Sequence, residues 1–191
     1  IMADIIYFEP SDQLAVKENL ELFISHCRNS LTLYEEQGGW NNNTWYHKQK
    51  NRSIAMVFSK YRVVSNPGNF EPFEASFLPF AKAYIRYTQS LKAVSSVTVK
   101  MVALRMLHDA LLEVHSSADI LLLDGLTLGK LQELTILRVK NEDRLNKVGY
   151  QIESLLNFIR KKLFVPALQS WVNPWPKINA KAEKTDQKSR E

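Results

Sequence analysis

Cysteine and glycine are scarce in this sequence, and each scarcity excludes a class of site. One of the 191 residues is a cysteine, Cys27, so an internal disulfide and a cysteine-based zinc site are both excluded. The six glycines are scattered apart from the pair Gly38-Gly39, which leaves no glycine-rich phosphate loop. No apolar run reaches the roughly 18 residues of a membrane helix. We therefore expect a cytoplasmic protein that uses no metal, cofactor or membrane.

Catalytic combinations of side chains are also missing. The histidines fall on different predicted elements, and neither an HxxxH nor an HExxH pattern occurs. His108 and Asp109 lie near the middle of a predicted helix, where we expect a hydrogen-bonded or solvated role rather than general-base catalysis. The sequence thus predicts that the chain by itself is not an enzyme.

The positive charge is unevenly distributed along the chain. Residues 1–73 carry 7 basic and 8 acidic residues, residues 74–172 carry 13 and 9, and residues 173–191 carry 5 and 3. The excess therefore lies in the second part of the sequence. This distribution suits a polyanionic partner such as nucleic acid, although it is also common in proteins that bind nothing acidic.

Residues 1–66 predict a small α+β region. The run DIIYF at residues 4–8 is typical of a short strand. Ser11 can cap an amphipathic helix that continues to about residue 36. Residues 44–47 and 53–58 predict a β-hairpin, which the first strand would extend to a three-stranded sheet covered by the helix. The turn-rich run SNPGNFEP at residues 65–72 predicts a linker.

Residues 74–172 predict a helical domain, and residues 173–191 a polar linker. Apolar residues recur every three or four positions throughout this domain. The predicted helices are 74–91, 97–114, 127–139 and 141–163. In the third, Leu128, Leu131, Leu134 and Leu137 share one face. Four amphipathic helices with short connections favour a bundle, so the fold class is mainly α.

Basic residues form stripes away from the apolar faces, and the stripe on the fourth helix lies opposite its Leu/Ile/Val face. One stripe on the first bundle helix holds Lys82, Arg86 and Gln89, and one on the fourth holds Arg144, Lys147 and Gln151. Lys92 and Lys100 flank the start of the second helix, whose free backbone amides favour phosphate. Such residues neutralise phosphates and read base edges. The alternative is that these charges simply solvate the outer faces of amphipathic helices.

Several phrases in this domain resemble a known family. They are PFAKAYIRY at residues 79–87, the Ser-Ser-x-Thr turn at 95–98 and VALRMLHDALLE at 102–113. Together they resemble the core-binding region of bacterial and phage tyrosine recombinases, the site-specific integrases. NEDRLNKVGYQIESLLNFI at 141–159, followed by WVNPWP at 171–176, is similar to the last helix of that region and its exit toward the catalytic domain.

The resemblance implies a four-helix, SAM-like bundle that clamps double-stranded DNA during integration of a mobile element. Its partners would be DNA and other recombinase protomers, in the bacterial cytoplasm at the nucleoid. The family's catalytic domain carries two arginines, a lysine, a histidine and a nucleophilic tyrosine. No His-x-x-Arg phrase occurs here, and only fifteen mostly polar residues follow residue 176. The resemblance therefore implies a DNA-binding fragment without the catalytic half.

The family pattern also assigns the DNA contacts. It implies that the second and fourth bundle helices face the major groove, with supporting phosphate contacts from the first helix and the following turn. The implied groove residues are Lys100, Arg105, Arg144, Lys147 and Gln151, and the supporting residues are Lys82, Arg86 and Lys92. Arg105 has an alternative role, because Asp109 lies one helical turn further on.

A second interpretation comes from a different class of protein. The chain would be a helical adaptor module with no role in nucleic-acid binding, and exposed tryptophans would form its interface, since tryptophan is enriched at binding hot spots. The candidates are Trp40, Trp45, Trp171 and Trp175.

Overall fold

The computed structural model describes residues 10–32, 39–49, 52–60, 70–91 and 97–163 of the chain. These residues are mainly helical, with a small two-stranded antiparallel sheet, as the sequence predicts. The elements are α1 (Pro10–Thr32), β1 (Thr44–Gln49), β2 (Arg52–Val57), α2 (Leu78–Leu91), α3 (Val97–His115), a 3-10 helix (Ile120–Leu122), α4 (Gly125–Arg138) and α5 (Glu142–Leu163).

α2 and α3 form the centre of the fold because they are buried on nearly every side. Pro79 lies in the first turn of α2, where its missing N–H costs no helical hydrogen bond. The residues of α2 that follow are almost all buried, and they are Phe80, Ala81, Lys82, Ala83, Tyr84 and Ile85. A helix that is buried all round belongs to the interior of a domain. The remaining elements therefore pack around this pair.

The hairpin follows the alternation expected of a half-buried sheet. Trp45 is opposite Met56, and both side chains are buried. The next pair, Tyr46 and Ala55, lies on the exposed face. Successive side chains in a strand point to opposite faces, which explains the pattern. The predicted hairpin is confirmed, whereas residues 4–8, the predicted third strand, lie outside the described residues.

The segment after β2 joins the hairpin to the helices. The Phe73 N–H donates to the Phe58 carbonyl at 3.1 Å, and the Lys60 N–H donates to the Glu71 carbonyl at 3.0 Å. One buried cluster contains Val16 of α1, the hairpin's Met56 and residues of all the later helices. The hydrophobic core therefore crosses the boundary predicted between residues 66 and 74.

α1 packs against α2 and α5, so the prediction that it covers the sheet is wrong. Its Phe23 ring lies 6.1 Å from the Tyr87 ring of α2 and 5.1 Å from the Phe158 ring of α5, centre to centre. Such tilted aromatic pairs stabilise a helix interface beyond the area that they bury. The hairpin is contacted instead by side chains of α2 and α3, as Gln89 and Arg105 show below.

A polar network joins α3 to α4 and to the segment before α2. His108 is fully buried, and its Nε2 accepts the N–H of Glu74 at 3.2 Å. Its Nδ1 therefore carries the proton and donates to Asp109 at 3.1 Å. Asp109 also pairs with Arg138 of α4. Burial raises the pKa of Asp109, but the hydrogen bonds from His108 and Arg138 outweigh it and lower that pKa below its ordinary value.

α4 is rotated relative to the sequence prediction. Leu131 and Leu134 are buried as predicted, but Leu137 is 66 % exposed. Thr127 and Thr135 occupy the inward face instead, and both hydroxyls are hydrogen-bonded. A buried hydroxyl costs little when it has such a partner. The prediction that Leu137 belongs to the inward face is therefore wrong.

Candidate nucleic-acid interface

The polar stripe of α2 faces the hairpin region. Lys82 is 3 % exposed, and its Nζ donates to the Trp40 carbonyl at 2.8 Å. The same ammonium lies 5.9 Å from the centre of the Phe58 ring. Gln89 donates to the Met56 sulfur at 3.5 Å. A side chain held in this way does not reach a phosphate, so we do not retain Lys82 as a DNA contact.

Arg86, the middle residue of this stripe, is half-buried and faces α1. Burial raises the pKa of Cys27 to about 11, and the positive charge of Arg86 acts in the opposite direction. The thiol of Cys27 donates to the Ala83 carbonyl at 3.5 Å. Cys27 is thus a small buried residue, as its place on the apolar face of α1 predicts. Arg86 lies within the α1–α2 interface, which limits its reach toward a ligand.

Arg105 connects α3 to the end of the hairpin. Its Nε donates to the Ser59 carbonyl at 2.9 Å, and its Nη2 donates to the Val57 carbonyl at 3.1 Å. Asp109, the alternative partner that the sequence indicated, binds Arg138. A guanidinium is well suited to this role, because its planar fork offers several donors in fixed directions. Arg105 therefore has a structural role, and we do not retain it as a base contact.

Two of the predicted DNA contacts, Lys92 and Lys100, lie near the start of α3. Lys92 lies outside the described residues. Lys100 is half-buried, and its Nζ lies 5.9 Å from the centre of the Tyr84 ring. Burial lowers the pKa of Lys100, and it raises the pKa of Tyr84 to about 12. Lys100 therefore remains a candidate at the edge of the surface.

The start of α5 presents its cations to solvent. Asn141 caps this helix by accepting the Arg144 N–H at 2.9 Å. Arg144 is exposed, and its guanidinium forms no ion pair with a described residue. Lys147 pairs with Asp143 at 2.6 Å, but the two side chains are 64 % and 76 % exposed, so this pair contributes little. Both cations are free to exchange water or a weak partner for phosphate.

Gln151 is less accessible than its spacing from Lys147 indicates. It is half-buried, and its Oε1 is buried without a hydrogen-bond partner among the described residues. Gln151 therefore borders the buried side of α5, whereas the sequence placed it with Arg144 and Lys147 opposite the apolar face. Of these three residues, Arg144 and Lys147 are the ones that a ligand can reach directly.

One exposed cation was missed by the sequence reasoning. Lys140 lies two residues before α5, is exposed, and has no ion pair within the described part of the chain. Its place directly before Asn141, the residue that caps α5, is the signal that would have found it. We call Lys140, Arg144 and Lys147 the α5 basic stripe.

An open groove of about 390 Å³ lies between α2 and α5. It is lined by Tyr87 of α2 and, on α5, by Tyr150, Glu153, Ser154, Asn157, Phe158 and Lys161. One cation and one carboxylate leave this lining without net charge. The groove therefore offers a phosphate less electrostatic attraction than the α5 basic stripe does.

Other classes of site find no support within the described residues. No group of three or more His, Cys, Asp and Glu side chains there could hold a metal ion. None of the described helices is long and apolar enough to cross a membrane. We also compared the chain with protein-family models, curated proteins and solved structures, and none of these comparisons gave a match. The argument for a function rests on the geometry and on the resemblance in the sequence.

The structural role of Arg105 predicts a loss of stability on its removal. Arg105→Met keeps much of the side-chain volume but leaves the Ser59 and Val57 carbonyls without these donors. We expect the free energy of unfolding in urea to fall by about 2 kcal/mol. Arg144→Met is the matched control and should change it by less than about 0.5 kcal/mol. Equal stability of the two variants would contradict the assignment.

The burial of Lys82 predicts a particular pH dependence of stability. Burial lowers its pKa from 10.5 to about 8. Between these values the unfolded chain binds a proton that the folded chain does not, so the free energy of unfolding rises as the pH increases from 8 to 10.5. Lys82→Met removes this contribution, which is on the order of 3 kcal/mol across the window.

The measurement is urea unfolding of the wild type and of Lys82→Met at several pH values. Subtracting the free energy of unfolding of Lys82→Met from that of the wild type at each pH removes the contribution of the other titrating groups. Lys17→Met, at an exposed position of α1, is the control and should follow the wild type. If Lys82→Met also follows the wild type throughout this pH range, the ammonium is not desolvated in the folded protein.

Proposed function

We propose that this chain binds duplex DNA as the core-binding part of a site-specific tyrosine recombinase, and that the α5 basic stripe is its main phosphate contact. The observation that carries the proposal is the exposure of Lys140, just before α5, and of Arg144 and Lys147 in its first two turns. Lys82 and Arg105 are hydrogen-bonded inside the fold. The stripe therefore places three exposed cations within eight residues of the chain, where a polyanion can reach them.

The geometry of the stripe suits a phosphate backbone. Arg144 and Lys147 are three apart on α5, where such residues have Cβ atoms about 5–6 Å apart, and Lys140 precedes the helix by two residues. Lys147 would exchange Asp143 for phosphate at little cost, because both side chains of that pair are well exposed. The nearby acids Glu142 and Asp143 reduce the local charge. We therefore expect weak binding, on the order of micromolar or weaker at physiological salt.

The recombinase part of the proposal comes from the resemblance. In that role α2 to α5 would form the SAM-like bundle, and the partners would be double-stranded DNA and other recombinase protomers. Strand cleavage would belong to a catalytic domain that these residues do not supply. The packing of α3 against both α4 and α5 is compatible with such a bundle.

Two of the four tryptophans proposed for the adaptor interface, Trp40 and Trp45, pack within the fold. Trp45 is 5 % exposed, and Trp40 lies 6.1 Å from it, ring centre to ring centre. The Trp40 ring also contacts α1, because the Arg28 guanidinium lies 5.5 Å from the centre of that ring. Both rings therefore stabilise the fold, while Trp171 and Trp175 lie outside the described residues. This balance favours DNA binding over the adaptor role.

Charge reversal in the stripe tests the proposal. We expect the wild-type chain to raise the fluorescence anisotropy of a labelled random duplex of about 30 base pairs, with log K falling against log salt at a slope of about −3 for three phosphate contacts. Arg144→Glu with Lys147→Glu should abolish the signal at low salt, because it turns attraction into repulsion. The circular dichroism spectrum should stay unchanged.

The matched control is Lys17→Glu with Lys161→Glu, which changes the net charge by the same amount at exposed positions outside the stripe. It should retain most of the affinity. Equal loss in both double variants would mean that net charge alone drives binding. No binding by the wild type at low salt would rule out the proposal for this chain.

A further inference from the structure

α4 presents an apolar face to solvent along its length. Leu126, Ile136 and Leu137 are 58 %, 55 % and 66 % exposed. Gly125 and Gly129 lie on the same side, and a Cβ built on either would meet no atom within 4 Å. Leu126 lies near the start of the helix and Ile136 and Leu137 near its end, with Gly129, Lys130 and Glu133 between them, and large exposed apolar side chains on one helix face are compatible with an interaction surface. We call Leu126, Gly129, Lys130, Glu133, Ile136 and Leu137 the α4 face.

Two pairs of residues on the α4 face, Leu126 with Leu137 and Lys130 with Glu133, are complementary when the helix is read in reverse order. If a second α4 packs antiparallel, with a twofold axis between positions 131 and 132, Leu126 lies opposite Leu137 of the second copy. The same axis sets Lys130 opposite Glu133 of the second copy. Each pair forms twice, since the contact is symmetric. The one register thus matches apolar with apolar and cation with carboxylate.

Ion pairs within the chain are compatible with this exchange. Lys130 pairs with Glu113 at 3.0 Å and with Glu133 at 3.1 Å. The Glu133 side chain is 63 % exposed, so its pair with Lys130 is weak and can be replaced across the interface. Glu113 would stay bound to Lys130 and hold its ammonium at the rim. Gly129 carries no side chain, which lets the two helix backbones approach closely.

We infer that this chain forms a symmetric homodimer through the α4 face. The inference stands on α4 alone and does not rest on DNA binding. A helix of 14 residues is about 21 Å long, which is short for a standard interface of about 800 Å² per partner. The dimer is therefore weak, with a dissociation constant on the order of 10 to 100 µM.

Sedimentation equilibrium of the whole chain over a range of concentrations tests the inference. The wild type should show a reversible monomer–dimer equilibrium. Leu126→Glu and Leu137→Glu should each weaken it at least about tenfold, because they bury a charge against leucine. Leu22→Glu is the matched control, since Leu22 is 69 % exposed on α1, and it should dimerise like the wild type.

A charge swap tests the register. Lys130→Glu alone places two carboxylates opposite each other and should weaken the dimer, whereas Lys130→Glu with Glu133→Lys should restore much of the affinity. Circular dichroism confirms that each variant is folded. A chain that stays monomeric at several hundred micromolar, a dimer that Leu126→Glu and Leu137→Glu leave intact, or a swap that restores nothing would each overturn the inference.

Discussion

Carbonyl groups beside the hairpin are hydrogen-bonded by cationic side chains of the central helices. Lys82 of α2 donates to the Trp40 carbonyl, and Arg105 of α3 donates to the carbonyls of Val57 and Ser59. A hairpin alone is marginally stable, and its buried polar groups need partners. These bonds hold the hairpin against the helices as part of one core. They also use two cations that would otherwise be available to a ligand.

The other cations also differ in whether they have a partner within the fold. Arg138 is paired with Asp109, and Lys130 is paired with Glu113 and Glu133. The cations before and within the first two turns of α5 face solvent instead, because α5 buries its other side against α1 and α3. Lys140, Arg144 and Lys147 thereby remain exposed within one stretch of eight residues, beside the acids Glu142 and Asp143. The accessibility of these three cations, rather than the net charge, is the physical basis of the proposed DNA binding.

Helices and hairpin were predictable from the sequence because apolar spacing decides them locally. The orientation of their polar sides was not, since a stripe such as Lys82 and Gln89 has the same spacing whether it faces water or another element. α1 and α4 illustrate the same limit. The partner of α1 depends on long-range packing. The inward face of α4 includes Thr127 and Thr135, whose hydroxyls bond locally to Asp124 and to the Leu131 carbonyl, so the spacing of apolar residues alone indicates the wrong face. Arg144 and Lys147 are exposed, as their spacing opposite the apolar face predicts, and their role as DNA contacts stays a prediction.

The most direct test of this account is a titration of the isotope-labelled chain with duplex DNA, followed by amide chemical shifts in NMR spectra. The account predicts that the largest shifts cluster between residues 140 and 151, with small changes at Lys82, Gln89 and Arg105. Large shifts along α2 with none at the start of α5 would contradict it. So would a spectrum that DNA leaves unchanged at low salt.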